Sequence, residues 1–112
     1  MSTTHITDEQ LGDWVKAARP YTVVILRPGP QRDIEGAERI VFEHGRRNAE
    51  LQLAGVLPIV CPVGDDTVSG VGIFDRTPEQ TRALMDGDPG VQAGVFRYEI
   101  HTCHSLPGSQ LP

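Results

Sequence analysis

Four apolar, β-branched runs alternate with two stretches of helical spacing, and their order leaves few folds open to the chain. "YTVVILR", residues 21–27, is apolar without interruption and predicts a buried strand. "PGP", 28–30, ends it. A long helix is expected over 33–54, with Gly55 as its C-terminal stop. "VLPIVCPV", 56–63, has strand composition, but Pro58 and Pro62 each remove a backbone donor, which suits a sheet edge or a bulge. The turn residues "GDD", 64–66, lead into "VSGVGIFD", 68–75, as the other arm of a hairpin. "TPEQTRALMDG", 77–87, opens a second helix: Thr77 is the cap, Pro78 holds the first helical position, and Gln80 completes a capping box before Gly87 closes it. "GVFRYEIHTC", 94–103, alternates as a last strand.

Strand, helix, two strands, helix, strand is the order of the split βαβ, or ferredoxin-like, α+β motif. It implies an antiparallel sheet with both helices on one face and the strands arranged 4-1-3-2. An extra N-terminal helix precedes it. "ITDEQLGDWVKAARP" carries a capping box (Thr7, Gln10) and an apolar stripe of Leu11, Trp14, Val15 and Ala18, and it stops before Pro20. The chain then divides into a helical extension (1–20), the ferredoxin-like domain (21–103) and a Pro/Gly/Ser tail (104–112). With both helices on one side, the other sheet face is bare, although Val, Ile and Phe dominate the strands. A second copy of the sheet is the expected cover, which makes the protein a homodimer.

The 112 residues suffice for one core, and 38% hydrophobic with 22% charged residues fits a globular domain. A formal net charge of -5 argues against nucleic acid or an anionic membrane as partner, since both need a basic footprint. No apolar run approaches the roughly 18–20 residues of a membrane span. "MSTTHITDEQ" lacks the basic start and apolar core of a signal peptide, so a cytoplasmic protein is expected. Cys61 and Cys103 are then free thiols, and they fall on opposite edges of the expected sheet. "HTCH", 101–104, has no distant partner pair, so no metal site is assigned to it. "GVGIF" lies inside a strand rather than before a helix, so it is no phosphate loop. No cofactor is expected.

The long helix contains the residue that most needs explaining. Residues three, four and seven apart share a helix face. His44 and Asn48 therefore lie on the stripe of Ala37, Ile40, Val41 and Leu51, opposite Arg39, Glu43, Arg46, Arg47 and Glu50. An imidazole on an apolar stripe is either a core histidine with satisfied nitrogens or a group that faces a pocket.

From about Tyr21 to Thr102 the chain resembles the YCII-related (YciI-like) family of small α+β proteins. The likeness rests on "RPGP" after the first strand, the histidine of the long helix, "AGVL" after it, the hairpin end "GIF", and above all "DPGVQAGVFRYEI". The resemblance implies a ferredoxin-like dimer of the dimeric α/β barrel type. It also implies a His–Asp dyad, here His44 and Asp88, in a pocket between helix and sheet. Members are linked to elimination and isomerisation of small cyclic or halogenated compounds. Many relatives follow the helix histidine with an apolar residue, often "HL"; here it is "HGRRN", and Gly45 leaves space beside His44.

A carboxylate bonded to one ring nitrogen fixes the tautomer and makes the other nitrogen a better base. Asp88 is expected within hydrogen-bond distance of His44, about 2.6–3.2 Å. Asp before Pro is equally a helix cap, and one carboxylate can serve both roles. Arg27, at a strand end beside a Gly-containing turn, is a candidate for holding a substrate carboxylate or enolate oxygen, or else a solvated strand end. Asn48 is a candidate to donate its amide to the same pocket, or to satisfy nearby backbone. Two functions fit these residues. One is a small cofactor-independent enzyme that abstracts a proton to eliminate or isomerise a small, cyclic metabolite. The other is a non-catalytic dimeric module that binds a small molecule or a partner protein.

Overall fold

The computed structural model of the chain describes residues 5–112. The first helix, α1 (Asp8–Lys16), starts on the Thr7 capping box, with Gln10 returning the bond. The run of β-branched residues forms β1 (Arg19–Pro28), and after a turn comes α2 (Ala37–Leu53). The hairpin strands are β2 (Ile59–Pro62) and β3 (Gly70–Phe74). They are followed by α3 (Pro78–Asp86), a single turn of helix α4 (Pro89–Gln92), and β4 (Phe96–Ser105). The sheet is four-stranded in the order β2-β3-β1-β4, and each neighbouring pair is antiparallel. Its centre is β1, the most continuous apolar run in the chain. The Pro-containing β2 lies at an edge, where a missing donor costs no ladder bond on the outer side.

The register divides the strand residues between two faces. Val24 lies opposite Gly72 and Ile100, and Leu26 opposite Gly70 and Tyr98. This parity faces the helices. Val24, Leu26 and Phe74 join Val56, Leu57 and Met85 in the core, with Leu51, Leu84, Val91 and Phe96 packed against it. The other parity carries Val23 and Ile25 on β1 and Val71 and Ile73 on β3. These four remain only half-buried, because no element among the described residues covers that side. Arg27, Glu99 and His101 share it: Arg27 Nε donates to Glu99 at 2.6 Å, and His101 Nε2 lies 2.8 Å from the other carboxylate oxygen.

Several boundaries differ from the sequence expectation, each for a local reason. The long helix begins at Ala37 rather than 33, because Gly36 adopts φ 83° and residues 31–36 form turns. Ladder pairing carries β1 back to Arg19 and β4 on to Ser105, with Arg19 opposite Ser105 and Pro20 opposite His104. The expected segment ends at 20 and 103 therefore fall inside a two-stranded ribbon. The apolar stripe of α1 is not covered by the other described residues: Leu11, Trp14 and Val15 stay exposed, and the Trp14 indole N–H donates to the Pro107 carbonyl at 2.9 Å. Cys61 and Cys103 are free thiols on opposite edge strands.

Two glycines test this packing in opposite senses. Gly29 crosses the Gly94–Val95 backbone so closely that a Cβ would overlap the Gly94 carbonyl, and Gly29 N donates to Val95 O at 2.7 Å. Gly29→Ala is expected to cost at least about 2 kcal/mol, read as a lower urea midpoint. Gly45 lies inside α2, and a Cβ there meets nothing within 4 Å. Gly45→Ala is expected to stabilise by about 0.5–1 kcal/mol through helix propensity alone.

Candidate functional site

The site is built where α2, α4 and β4 meet. Helix α2 presents His44, which is only 9% exposed, toward the sheet. Asp88 precedes Pro89, in extended backbone, and caps α4. Its carboxylate is divided between two tasks. Oδ2 accepts from the Gly90 and Val91 backbone N–H groups at 2.9 and 3.1 Å, and Oδ1 lies 2.8 Å from His44 Nδ1. Asp88 is 1% exposed. Burial pushes its carboxyl up, but the bond to His44, the His44 charge, the Val91 N–H and the Arg47 guanidinium outweigh it and leave the pKa lowered.

An ionised carboxylate only accepts, so Nδ1 is the ring nitrogen that donates. Asn48, one turn further along α2, brings its amide nitrogen to 3.2 Å from His44 Nε2. In the neutral ring, Nδ1 donating to Asp88 leaves Nε2 as the acceptor for this amide N–H. Partner chemistry thus selects the Nδ1–H tautomer at one end of the ring and a basic nitrogen at the other. The ring plane is held as well: Phe96 of β4 packs 4.7 Å away between centroids at 49°.

His44 and Asn48 line a cavity of about 480 Å³ between α2 and the β2–β3 side of the sheet. Val24, Leu26, Leu57, Phe74, Met85 and Phe96 give it apolar walls. His44, Asn48 and Gln52 line one side from successive turns of α2, and Gly70 and Gly72 present bare β3 backbone. Val41 and Gly45 on α2, and Cys61 and Pro62 on β2, are exposed and mark its mouth.

The structure brings together three of the four residues singled out in the sequence: His44, Asp88 and Asn48. It does not bring Arg27 to them. Arg27 has the parity of Val23 and Ile25, so its guanidinium lies on the open face of the sheet, bonded to Glu99 and to the Thr67 carbonyl. Arg47, assigned by helical spacing to the solvated face, instead folds back so that Nη1 comes within 3.9 Å of Asp88 Oδ1, with 26% of the side chain exposed. Its three-residue spacing from His44 was the available signal, because a long side chain there leans toward the helix N-terminus. Phe96 and the paired glycines of β3 were read only as strand residues.

No protein-family model and no curated protein sequence matches the chain. Among solved structures, the chain is similar to the 5-chloro-2-hydroxyhydroquinone dehydrochlorinase of Burkholderia phenoliruptrix AC1100, in complex with 2,5-dihydroxybenzoquinone. The identity is 14%, over 72% of this chain and 90% of that one, with a TM-score of 0.51. The likeness is one of fold, a small α+β architecture with a four-stranded antiparallel sheet. No helix among the described residues is long and apolar enough to cross a membrane.

The lowered Asp88 pKa has a definite consequence for stability. The folded-state value lies below that of the unfolded chain, about 3.9. The contribution is therefore complete above that pH and disappears as acid takes the solution down through the folded value. Asp88→Asn should flatten this acid limb relative to wild type in urea titrations run from pH 7 to 2.5. At neutral pH it should cost about 1–3 kcal/mol, since one amide cannot accept from both backbone N–H groups and His44 together.

Proposed function

We propose that the protein is a small cofactor-independent enzyme in which His44 is the general base and Asp88 orients it. The observation that carries this reading is the setting of the imidazole: Nδ1 is held by a buried carboxylate, and the residue lines a largely apolar cavity. In the reaction, Nε2 takes a proton from a carbon acid, and the C–H electron pair enters a new double bond. In an elimination, a leaving group departs from the neighbouring carbon with its own pair. In an isomerisation, the imidazolium returns the proton to a different carbon. Asp88 stabilises the imidazolium in either case. Asn48 releases Nε2 when substrate enters and offers its amide N–H to the oxygen on which negative charge gathers. This is the chemistry implied by the resemblance to the YCII-related family. The similarly folded dehydrochlorinase, whose structure holds a small ring compound, supports a small-molecule elimination enzyme in general terms.

We propose further that residues 21–103 form the ligand-binding unit and that two copies associate through the open sheet face. Val23, Ile25, Val71 and Ile73, half-buried with no other described element over them, support that assembly. Sedimentation at micromolar concentration should give twice the chain mass, and Ile25→Glu should give a single-chain mass. A wild-type monomer refutes the dimer.

The catalytic reading is tested with a carbon acid whose exchange is visible. In D₂O, wild-type protein should accelerate loss of the α-proton NMR signals of 2-tetralone, a neutral ring ketone. His44→Ala and His44→Gln should each lower that rate by about 10²–10⁴-fold while remaining folded. A His44→Gln protein with full exchange activity, together with an unfolded His44→Ala protein, would make the histidine structural.

A further inference from the structure

The cavity also carries information about what it can hold, and this inference rests on its use as the reaction site proposed above. Among the described residues, no Arg, Lys, Asp or Glu side chain lines its wall. The cation nearest to the site, Arg47, is directed at Asp88, and Asp88 itself lies behind the imidazole. Arg27, the other cation of interest, is on the far face of the sheet. A carboxylate or phosphate entering here would lose its water, find no fixed counter-charge, and approach the ionised Asp88.

The polar side chains that are present carry no permanent charge. His44, Asn48 and Gln52 recur every fourth residue, so they stand in a row on α2, spanning about 12 Å. The imidazole offers a lone pair, and the amides can both donate and accept. Such a row suits carbonyl and hydroxyl oxygens.

Facing this row, β3 supplies no side chain at two successive inward positions. Gly70 lies opposite Leu26 and Gly72 opposite Val24, on the parity that faces the helices. A Cβ at Gly72 would come to 3.0 Å from Leu57 Cδ1 and 3.7 Å from Phe74 Cε1. At Gly70 it would come to 3.3 Å from the Cys61 carbonyl oxygen. Glycine weakens a strand interior, and two of them one residue apart in a five-residue strand leave the helix-facing side of β3 without side chains at both positions.

We propose that the site takes an uncharged ring compound bearing carbonyl or hydroxyl groups, laid against Gly70 and Gly72, and discriminates against carboxylates and phosphates. The glycines set the thickness of what fits, and the row on α2 sets its polarity.

The test compares two probes of one shape, 2-tetralone and its 6-carboxylate, by ¹⁵N–¹H NMR titration of the wild-type protein at pH 7. The neutral ketone should shift the Gly70 and Gly72 amides and the Asn48 side-chain amide, and the carboxylate should bind at least about tenfold more weakly. Gly72→Ala and Gly72→Val should weaken ketone binding progressively. If either variant fails to fold, the wild-type pair of titrations still decides. Equal or tighter binding of the carboxylate overturns the proposal, and so does ketone binding that leaves Gly70 and Gly72 unshifted, or no binding of either probe at millimolar concentration. The two readings fail separately. Selective ketone binding without proton exchange sinks the catalytic role and leaves the specificity intact. Exchange of the carboxylate at the rate of the ketone does the reverse.

Discussion

The Asp88 carboxylate is the joint on which the site depends. One oxygen closes the N-terminus of α4 and the other holds His44, so a helix cap and the imidazole tautomer are fixed by the same group. Its neighbours follow from that geometry. Gly90 must be glycine, because a Cβ would sit 2.5 Å from Phe96 Cδ2 and 3.0 Å from Asp88 Oδ2. That vacancy lets the Phe96 ring come close enough to pack on His44. Arg47 adds a positive charge at longer range, about a quarter exposed and therefore partly screened. A buried carboxylate without these partners would be costly to ionise; with them its pKa is lowered and it stays an acceptor.

The same sequence stretch ties the site to the sheet. Gly94, at φ 74°, turns the chain out of α4, and its carbonyl accepts from Gln31 N at 2.8 Å while Val95 O accepts from Gly29 N. The "PGP" turn after β1 and the "AGV" turn before β4 are thus two halves of one backbone crossing. This crossing sets where β4 begins, hence where Phe96 stands, hence how His44 is held. It gives a structural reason for two motifs that are far apart in sequence to occur together.

How legible this was from sequence depended on whether a residue's position follows from local periodicity. The element order and the edge position of the Pro-containing strand follow from spacing and turn chemistry, and the observed sheet agrees with them; of the expected α2 stripe His44 is buried, whereas Val41 is exposed. Parity in β1 does not. Val23, Val24, Ile25 and Leu26 are apolar on both faces, so nothing in the run says which set meets the helices. Arg27 fell on the wrong side of that ambiguity, and its partner Glu99 is known only once β4 is paired. Helix α4 has four residues, too few to show a period, although its Asp-Pro start was visible. Arg47 was misplaced because spacing locates a Cβ, whereas a guanidinium reaches about a turn away from it. The cavity could not be read at all: Gly70 and Gly72 become a floor only when α2 lies over them.

The arrangement also explains why so much apolar surface is left uncovered in the single chain. One side of the sheet is partly given over to a cavity rather than to packing, and Gly45 gives up helix stability at its mouth. The opposite side and the α1 stripe have no cover among the described residues. The radius of gyration is 17.0 Å, whereas a compact chain of this length would have about 13 Å. The excess comes from an elongated shape, 56 Å along its longest axis. A chain that stops β1 and β4 at the sheet would be more compact. This one extends them as a ribbon and places an amphipathic helix at its end, with Leu11, Trp14 and Val15 exposed. Extra ordered residues that bury nothing carry conformational entropy with no hydrophobic return. That imbalance is the physical ground on which the proposed association of two copies rests. A second sheet over Val23, Ile25, Val71 and Ile73 would supply the burial that the cavity side forgoes.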